Sequence, residues 1–257
     1  MRKSDSERRA LRPKRGDYVE ALARGLAILH AFSDRHRVSL SEMARLVDIP
    51  KPSVRRILIT LSDLGYVSST GRQFELTPKV VTLAAAYLSS TPIVELLQPS
   101  CERISKLTGM SSAIAILDGT YALTVAAAHP SWPPMAEFTS GQRLSLFETA
   151  LGLMLLAMQP DTERDALFRR VSKAVPDSVG RIAQQAVSHV LRQGFAVTGI
   201  NMPGFPALAV PLHRRDGRAF GAYGIALPSR GASREDAPQE LVHALTLEAA
   251  NVQSRLI

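Results

Sequence analysis

Residues 39–76 constrain this 257-residue chain more tightly than any other stretch. Ser39 and Glu42 stand at capping-box spacing, so each side chain satisfies an orphan backbone N–H and a helix begins there. Leu40, Met43, Ala44 and Val47 then share one apolar face, and Asp48-Ile49-Pro50 breaks the helix. The next helix takes Pro52 in its first turn, where a missing N–H costs nothing. It offers Val54, Ile57, Leu58 and Leu61 as a buried stripe and Gly65 as its C-terminal cap. Tyr66 to Leu76 reads as a hairpin turning at Thr70-Gly71, with Arg72 just past the turn. Two short helices, a tight turn and a following hairpin predict a winged helix-turn-helix.

The second of these helices carries a basic outer face. At about 100° per residue, Ser53, Arg56 and Thr60 fall opposite the apolar stripe, with Lys51 at the start and Arg55 on the flank. A helix so built enters the major groove with its N-terminal residues at base edges. Arg and Lys donate to guanine, while Ser and Thr are permissive. Arg72 on the wing is placed to reach phosphate or the minor groove. The charge distribution agrees. Residues 1–90 hold 16 of the 31 Lys+Arg but only 9 of the 23 Asp+Glu, so +7 of the net +8 sits in this third. Any one of these features is ordinary, since capping boxes are common and a lone basic helix face is usually just solvated. Their order on the basic third of the chain is what predicts double-stranded DNA as a partner.

An apolar helix over 18–33 precedes the motif, with Val19, Leu22, Leu26 and Leu29 at helical spacing. Another is expected over 78–90, too apolar for a free linker and therefore packed against a partner. Residues 1–17 read as a basic, disordered arm. The remaining two-thirds alternate helix and strand signals. Helices are expected at 94–108, 148–158, 161–170, 179–192 and 234–256. Strands are expected at 112–117, 121–128, 195–199, 206–213 and 219–227, turning at Asp118-Gly119 and Asp216-Gly217. Mixed signals of this kind predict an α+β fold with helices packed on a sheet.

Other function classes find little support. One cysteine, Cys101, excludes a disulfide framework and a Cys-cluster metal site, and its helical spacing with Ile104 and Leu107 predicts a buried thiol. No apolar run reaches the ~18–20 residues of a membrane span, and no secretory signal is visible, so a cytoplasmic protein is expected. Nucleophile elbow, phosphate loop, dinucleotide fingerprint and zinc-protease motifs are missing from the sequence, and the six histidines show no ligand spacing. No catalytic residue, metal or cofactor is predicted. An enzyme with a basic appendage remains the rival from another class. Trp132, between prolines, either lines a pocket mouth or packs a loop.

The segments LARGLAILHAF (22–32), LSEMARLVDIPKPSVRRILITLSDLGYV (40–67), FELTPKVVTLAAAYL (74–88) and GQRLSLFETALGLMLLA (141–157) resemble the IclR-type transcriptional regulators. Shorter matches follow at 107–119, 192–197, 207–212 and 221–228, so the resemblance spans residues 18–257. The opening YVEALARGLAIL is similar to the branch controlling aromatic-acid catabolism. The resemblance implies a winged helix-turn-helix over 18–77, a linker helix over 78–91 and a GAF-like mixed α/β effector-binding domain over 92–257. It also implies a homodimer or homotetramer, a pseudo-palindromic operator and a small organic-acid effector. The family's effector positions fall on Leu144, Ala150, Leu151, Thr198, Ala207, Gly224 and Ala226. Members that bind small oxo-acids carry acidic, thiol and hydroxyl side chains at the last four of these. Here Thr, Ala, Gly and Ala stand instead, the segment after Phe195 is shortened, and Phe147 and Glu148 replace a histidine and a small residue. With fewer polar groups a small carboxylate is poorly served, because unpaired buried charge is expensive. Two expectations follow: a pocket enlarged for an apolar or aromatic ligand, or a constitutive DNA-binding regulator that no longer responds to one.

Overall fold

The computed structural model describes residues 18–32, 35–83, 85, 93–130, 138–198, 205–228 and 239–256. The expected arm 1–17, half of the linker helix 78–91 and the loop with Trp132 lie outside them. The chain divides into two units, Met1–Ser90 and Thr91–Ile257.

In the first unit, α1 (Glu20–His30), α2 (Leu40–Val47) and α3 (Lys51–Asp63) pack beside a small sheet of order β1-β3-β2. The capping box forms as the sequence requires: Ser39 Oγ accepts the Glu42 N–H at 3.3 Å, and Glu42 Oε2 accepts the Ser39 N–H at 2.9 Å. Asp48 ends α2 at φ 55°, a left-handed conformation that reverses the chain in two residues before Pro50 opens α3. β2 (Val67–Thr70) and β3 (Gln73–Leu76) make the hairpin, with Gly71 at φ 65° in its turn. β1 is only Val38–Ser39, too short for any alternation to show in the sequence. Ile28, Met43, Val47, Val54, Leu58, Leu61 and Val67 form the core. Each such side chain contributes roughly 1.5–3 kcal/mol on burial. Beyond the hairpin, a 3-10 turn at Pro78–Val80 runs into helical residues 81–83 and 85.

The second unit is a six-stranded antiparallel sheet of order β6-β5-β4-β9-β8-β7. Its strands are β4 (Ser112–Asp118), β5 (Tyr121–Ala128), β6 (Arg143–Ser145), β7 (Ala196–Thr198), β8 (Ala207–His213) and β9 (Ala219–Ala226). α4 (Ile93–Thr108) and α8 (Gln239–Gln253) contribute to the core on one face, against Ile114, Leu208, Val210, Tyr223 and Ile225. α5 (Ala150–Ala157) covers the other, with α6 (Asp161–Ser172) and α7 (Asp177–Gln193) outside it. β6, three residues long, was not expected from the sequence. The covering helix begins at Ala150, not 148: Thr149 caps it, accepting the Gly152 N–H at 3.1 Å. Leu107 departs from expectation, being 71% exposed, whereas Cys101 and Ile104 are buried.

The two faces of the sheet differ in bulk. Ala113, Ala115, Ala122, Ala207, Ala209, Ala222, Gly224 and Ala226 all lie toward α5, and all of them but Ala122 pair with one another across the ladder. Large aliphatic and aromatic side chains take the α4–α8 face. α5 is therefore drawn close to the sheet, and Gly152 marks the tightest point: a Cβ there would stand 2.3 Å from the Ser145 carbonyl oxygen.

Candidate nucleic-acid interface and effector site

α3 presents five of the six expected DNA contacts, and presents them unevenly. Its buried side is Val54, Leu58 and Leu61, and Lys51, Arg55, Arg56 and Thr60 are exposed, with Ser53 half-buried. Thr60 Oγ1 donates to the Arg56 carbonyl at 3.1 Å. Ser53, Arg56 and Thr60 border a groove of about 750 Å³ between α1 and α3, shared with Leu22, Gly25, Leu26 and Leu29. Lys51 and Arg55 point to the other flank, so the helix spreads its polar residues over a wide arc. Arg72 is exposed beside Gly71 at the tip of the wing, whose base is fixed by Arg37 donating to Glu75 at 2.8 Å. Among the described residues, Lys51, Arg55, Arg56 and Arg72 make no ion pair with a carboxylate, unlike Arg24 and Arg37. Unpaired cations on one helix and one wing are the electrostatic footprint of polyanion recognition.

α1 turns its apolar stripe outward. Leu22 is 62% exposed and Leu26 46%, Val19 is exposed too, and the buried residue of this helix is Ile28. Val81 and Leu83 are likewise exposed, while Ala84 and Tyr87 of the expected linker stripe lie outside the described residues.

In the second unit all seven expected effector positions are buried and share the α5 side of the sheet. Leu144 pairs with Ala122 across β6 and β5; Thr198 pairs with Ala207, Ala207 with Ala226, and Gly224 with both Ala113 and Ala209. Ala150 and Leu151 come down from the first turn of α5. A Cβ on Gly224 would meet Leu151 Cδ2 at 3.0 Å, so this glycine is what lets α5 rest there. Thr198 Oγ1 lies 3.4 Å from the Phe205 carbonyl, and Phe205 stacks edge-on against Phe138 with ring centroids 5.0 Å apart. Phe147 is buried against Phe168, and Glu148 precedes the helix cap. Because Thr149 occupies the Gly152 N–H, that helix end is less open to an anion than a start at 148 would leave it.

One polar group of this layer was not anticipated. Thr124 is paired with Ala115 and so faces α5, is 1% exposed, and its hydroxyl has no hydrogen-bond partner among the described residues. The signal in the sequence was a lone hydroxyl in the inward register of an otherwise alanine-rich strand. Cys101 takes no part: it is fully buried on the opposite face, and burial pushes its thiol up to about 12. Among the described residues no cluster of His, Cys, Asp or Glu could hold a metal, and no helix is long and apolar enough to cross a membrane.

Comparison with known proteins agrees with this geometry. Residues 21–71 match the IclR helix-turn-helix domain and 85–254 match the bacterial transcriptional regulator IclR C-terminal domain. The Pca regulon regulatory protein of Pseudomonas putida is 33% identical over 235 residues, covering 88% of this chain and 80% of its own. An IclR family transcriptional regulator from Brucella abortus superposes with a TM-score of 0.76 at 22% identity, over 94% of each chain. An IclR homologue from Microbacterium hydrocarbonoxydans, solved in complex with 4-hydroxybenzoate, gives 0.70 at 18% identity over 91% of this chain and 98% of its own. With both family domains present in order and nearly the whole chain accounted for, the protein belongs to the IclR family of DNA-binding transcriptional regulators with a C-terminal effector-binding domain.

Proposed function

We propose that this regulator, acting in the cytoplasm as a homodimer or a homotetramer, reads a pseudo-palindromic operator and is controlled by a small aromatic acid. Lys51, Ser53, Arg55, Arg56 and Thr60 on α3 contact the major groove, and Arg72 contacts the backbone or minor groove beside it. The four cations without an ion pair among the described residues carry this reading. The outward apolar stripe of α1 meets its copy in the dimer and spaces two α3 helices about one DNA turn, ~34–36 Å, apart.

The ligand sits in the layer between α5 and the sheet, reached from Leu144, Ala150, Leu151, Thr198, Ala207, Gly224 and Ala226. A floor of alanines and glycine suits a flat ring, and the partnerless hydroxyl of Thr124 supplies a hydrogen bond that burial otherwise leaves unmade. The Pseudomonas putida relative and the 4-hydroxybenzoate complex favour an aromatic acid over an oxo-acid. Ligand shifts operator affinity only by its difference in affinity between the two arrangements of the protein.

Binding of the full chain to the DNA upstream of its own gene tests the first half. Arg56→Ala should weaken selective binding while the melting curve is unchanged, and unchanged selectivity would remove α3 as the reading helix. Calorimetric titration tests the second half, with 4-hydroxybenzoate and protocatechuate against glyoxylate and pyruvate. Tight oxo-acid binding would contradict an aromatic site, and no heat with any of them would favour the constitutive alternative.

A further inference from the structure

The outward face of α3 is not wholly polar. Measured from the buried stripe of Val54, Leu58 and Leu61, the point directly opposite falls, at about 100° per residue, among Pro52, Arg56, Ile59 and Asp63. Ile59 is 43% exposed there. Neither the core nor helix formation asks for it, since β-branched residues are mediocre helix formers. It is not part of the apolar groove beside α1 either: that groove takes Ile57, and Ile59 lies roughly 160° round the helix from it. A single exposed aliphatic residue is usually unremarkable on a surface. This one shares a helix with Lys51, Arg55 and Arg56, which have no ion pair among the described residues, and lies about one turn beyond Arg55 and Arg56.

We propose that Ile59 reads sequence, packing its branched side chain against the 5-methyl group of a thymine in the operator's major groove. The inference rests on α3 being the recognition helix. At about 1.5 Å rise per residue, Ile59 lies ~4.5–6 Å beyond Arg55 and Arg56 along the axis, one to two base-pair steps from whatever those two contact. Thymine presents a 5-methyl group beside its O4 acceptor on the major-groove edge, so its methyl is the group an exposed isoleucine can cover without stranding a hydrogen-bonding group. Asp63, exposed on the same stripe one turn later, repels phosphate and sets the end of the reading surface.

A duplex selected from a random library by the full-length wild type provides the probe. Each thymine in it is replaced singly by deoxyuridine, which removes one methyl group and leaves pairing intact. Binding is followed by fluorescence anisotropy for wild type, Ile59→Ala and Arg56→Ala. The expected result is a thymine, repeated in both half-sites, whose loss of methyl weakens wild type about fourfold. The same replacement should leave Ile59→Ala unaffected, while Ile59→Ala keeps the wild-type melting curve. If wild type and Ile59→Ala respond alike at every thymine although Arg56→Ala binds poorly, Ile59 is not a reader. If Arg56→Ala selects and binds as wild type does, α3 is not the reading helix and both readings fall together.

Discussion

Gly152 is where the approach of α5 to the sheet unit can be tested most directly. A methyl group at this position would lie 2.3 Å from the Ser145 carbonyl oxygen, 2.6 Å from Leu146 Cα and 2.9 Å from the Leu146 carbonyl carbon. All three atoms are backbone, so no side chain can rotate away. To reach ordinary contact, α5 or the 145–146 turn must move by about 1 Å, which also breaks the contact of Leu151 with Gly224. Overpacking of well-packed cores costs typically 1–3 kcal/mol, and a backbone obstacle places Gly152→Ala at or above the top of that range. Helix propensity acts the other way by roughly 1 kcal/mol, because alanine is the better helix former. A net loss of about 2–3 kcal/mol in a unit of this size lowers its melting temperature by ~4–12 °C. Differential scanning calorimetry of the full chain measures it, with near-ultraviolet circular dichroism following the same unit. Gly180→Ala is the control: its Cβ would meet the Ser172 hydroxyl at 3.3 Å, a side-chain atom that can give way. A drop under 2 °C for Gly152→Ala, or an equal drop for Gly180→Ala, would refute the close seating of α5.

Three further outcomes follow from the described contacts. Burial pushes Glu248 up, but hydrogen bonds from Arg103 at 2.5 Å and Ser100 at 2.7 Å outweigh it and leave the carboxyl below its ordinary range. Its stabilisation is therefore complete above the unfolded carboxylate range and is lost as pH falls through the lower folded value. Glu248→Gln should be less stable at pH 7 and show a flatter acid limb in urea melts between pH 3 and 7; parallel limbs would contradict this. Cys101, buried with a thiol at about 12, should resist alkylation by iodoacetamide at pH 8 until denaturant is added, and rapid labelling of the folded chain would show the α4 face to be open. Leu22→Glu should lower the oligomeric state seen by light scattering without lowering the melting temperature, since Leu22 is exposed in this chain; an unchanged mass would place the subunit contact elsewhere.

Local chemistry was the legible part of this sequence. The Ser39–Glu42 box, Pro52 in the first turn and Gly71 in the hairpin each act through their immediate neighbours, so short stretches of sequence suffice to place them. The direction of an apolar stripe depends on tertiary partners and was not legible: Leu22 and Leu26 have helical spacing, yet it is Ile28 that turns inward. Leu107 was misjudged alongside Ile104 for the same reason. β1 and β6 have two and three residues, too few for periodicity to register. In the candidate site the basic residues of α3 stood out by charge. Ile59 did not, because exposure of an apolar residue is a property of packing. Thr124 stood out in the sequence only as a lone hydroxyl in an alanine-rich strand, and the register with Ala115 is what put it beside α5.

The alanine layer beneath α5 has a consequence for how this protein can change. Backbone hydrogen bonds hold its strands together, and the bulky side chains on the far face anchor them to α4 and α8. The small residues thus set how closely α5 lies on the sheet without being needed to build it. In the proposed aromatic site, adding or removing a methyl or hydroxyl group at Ala207, Ala222 or Ala226 would alter volume and polarity beneath α5 without changing a residue of the recognition helix. A chain of this design can acquire a new chemical signal through single substitutions in one unit and keep the same genes under its control.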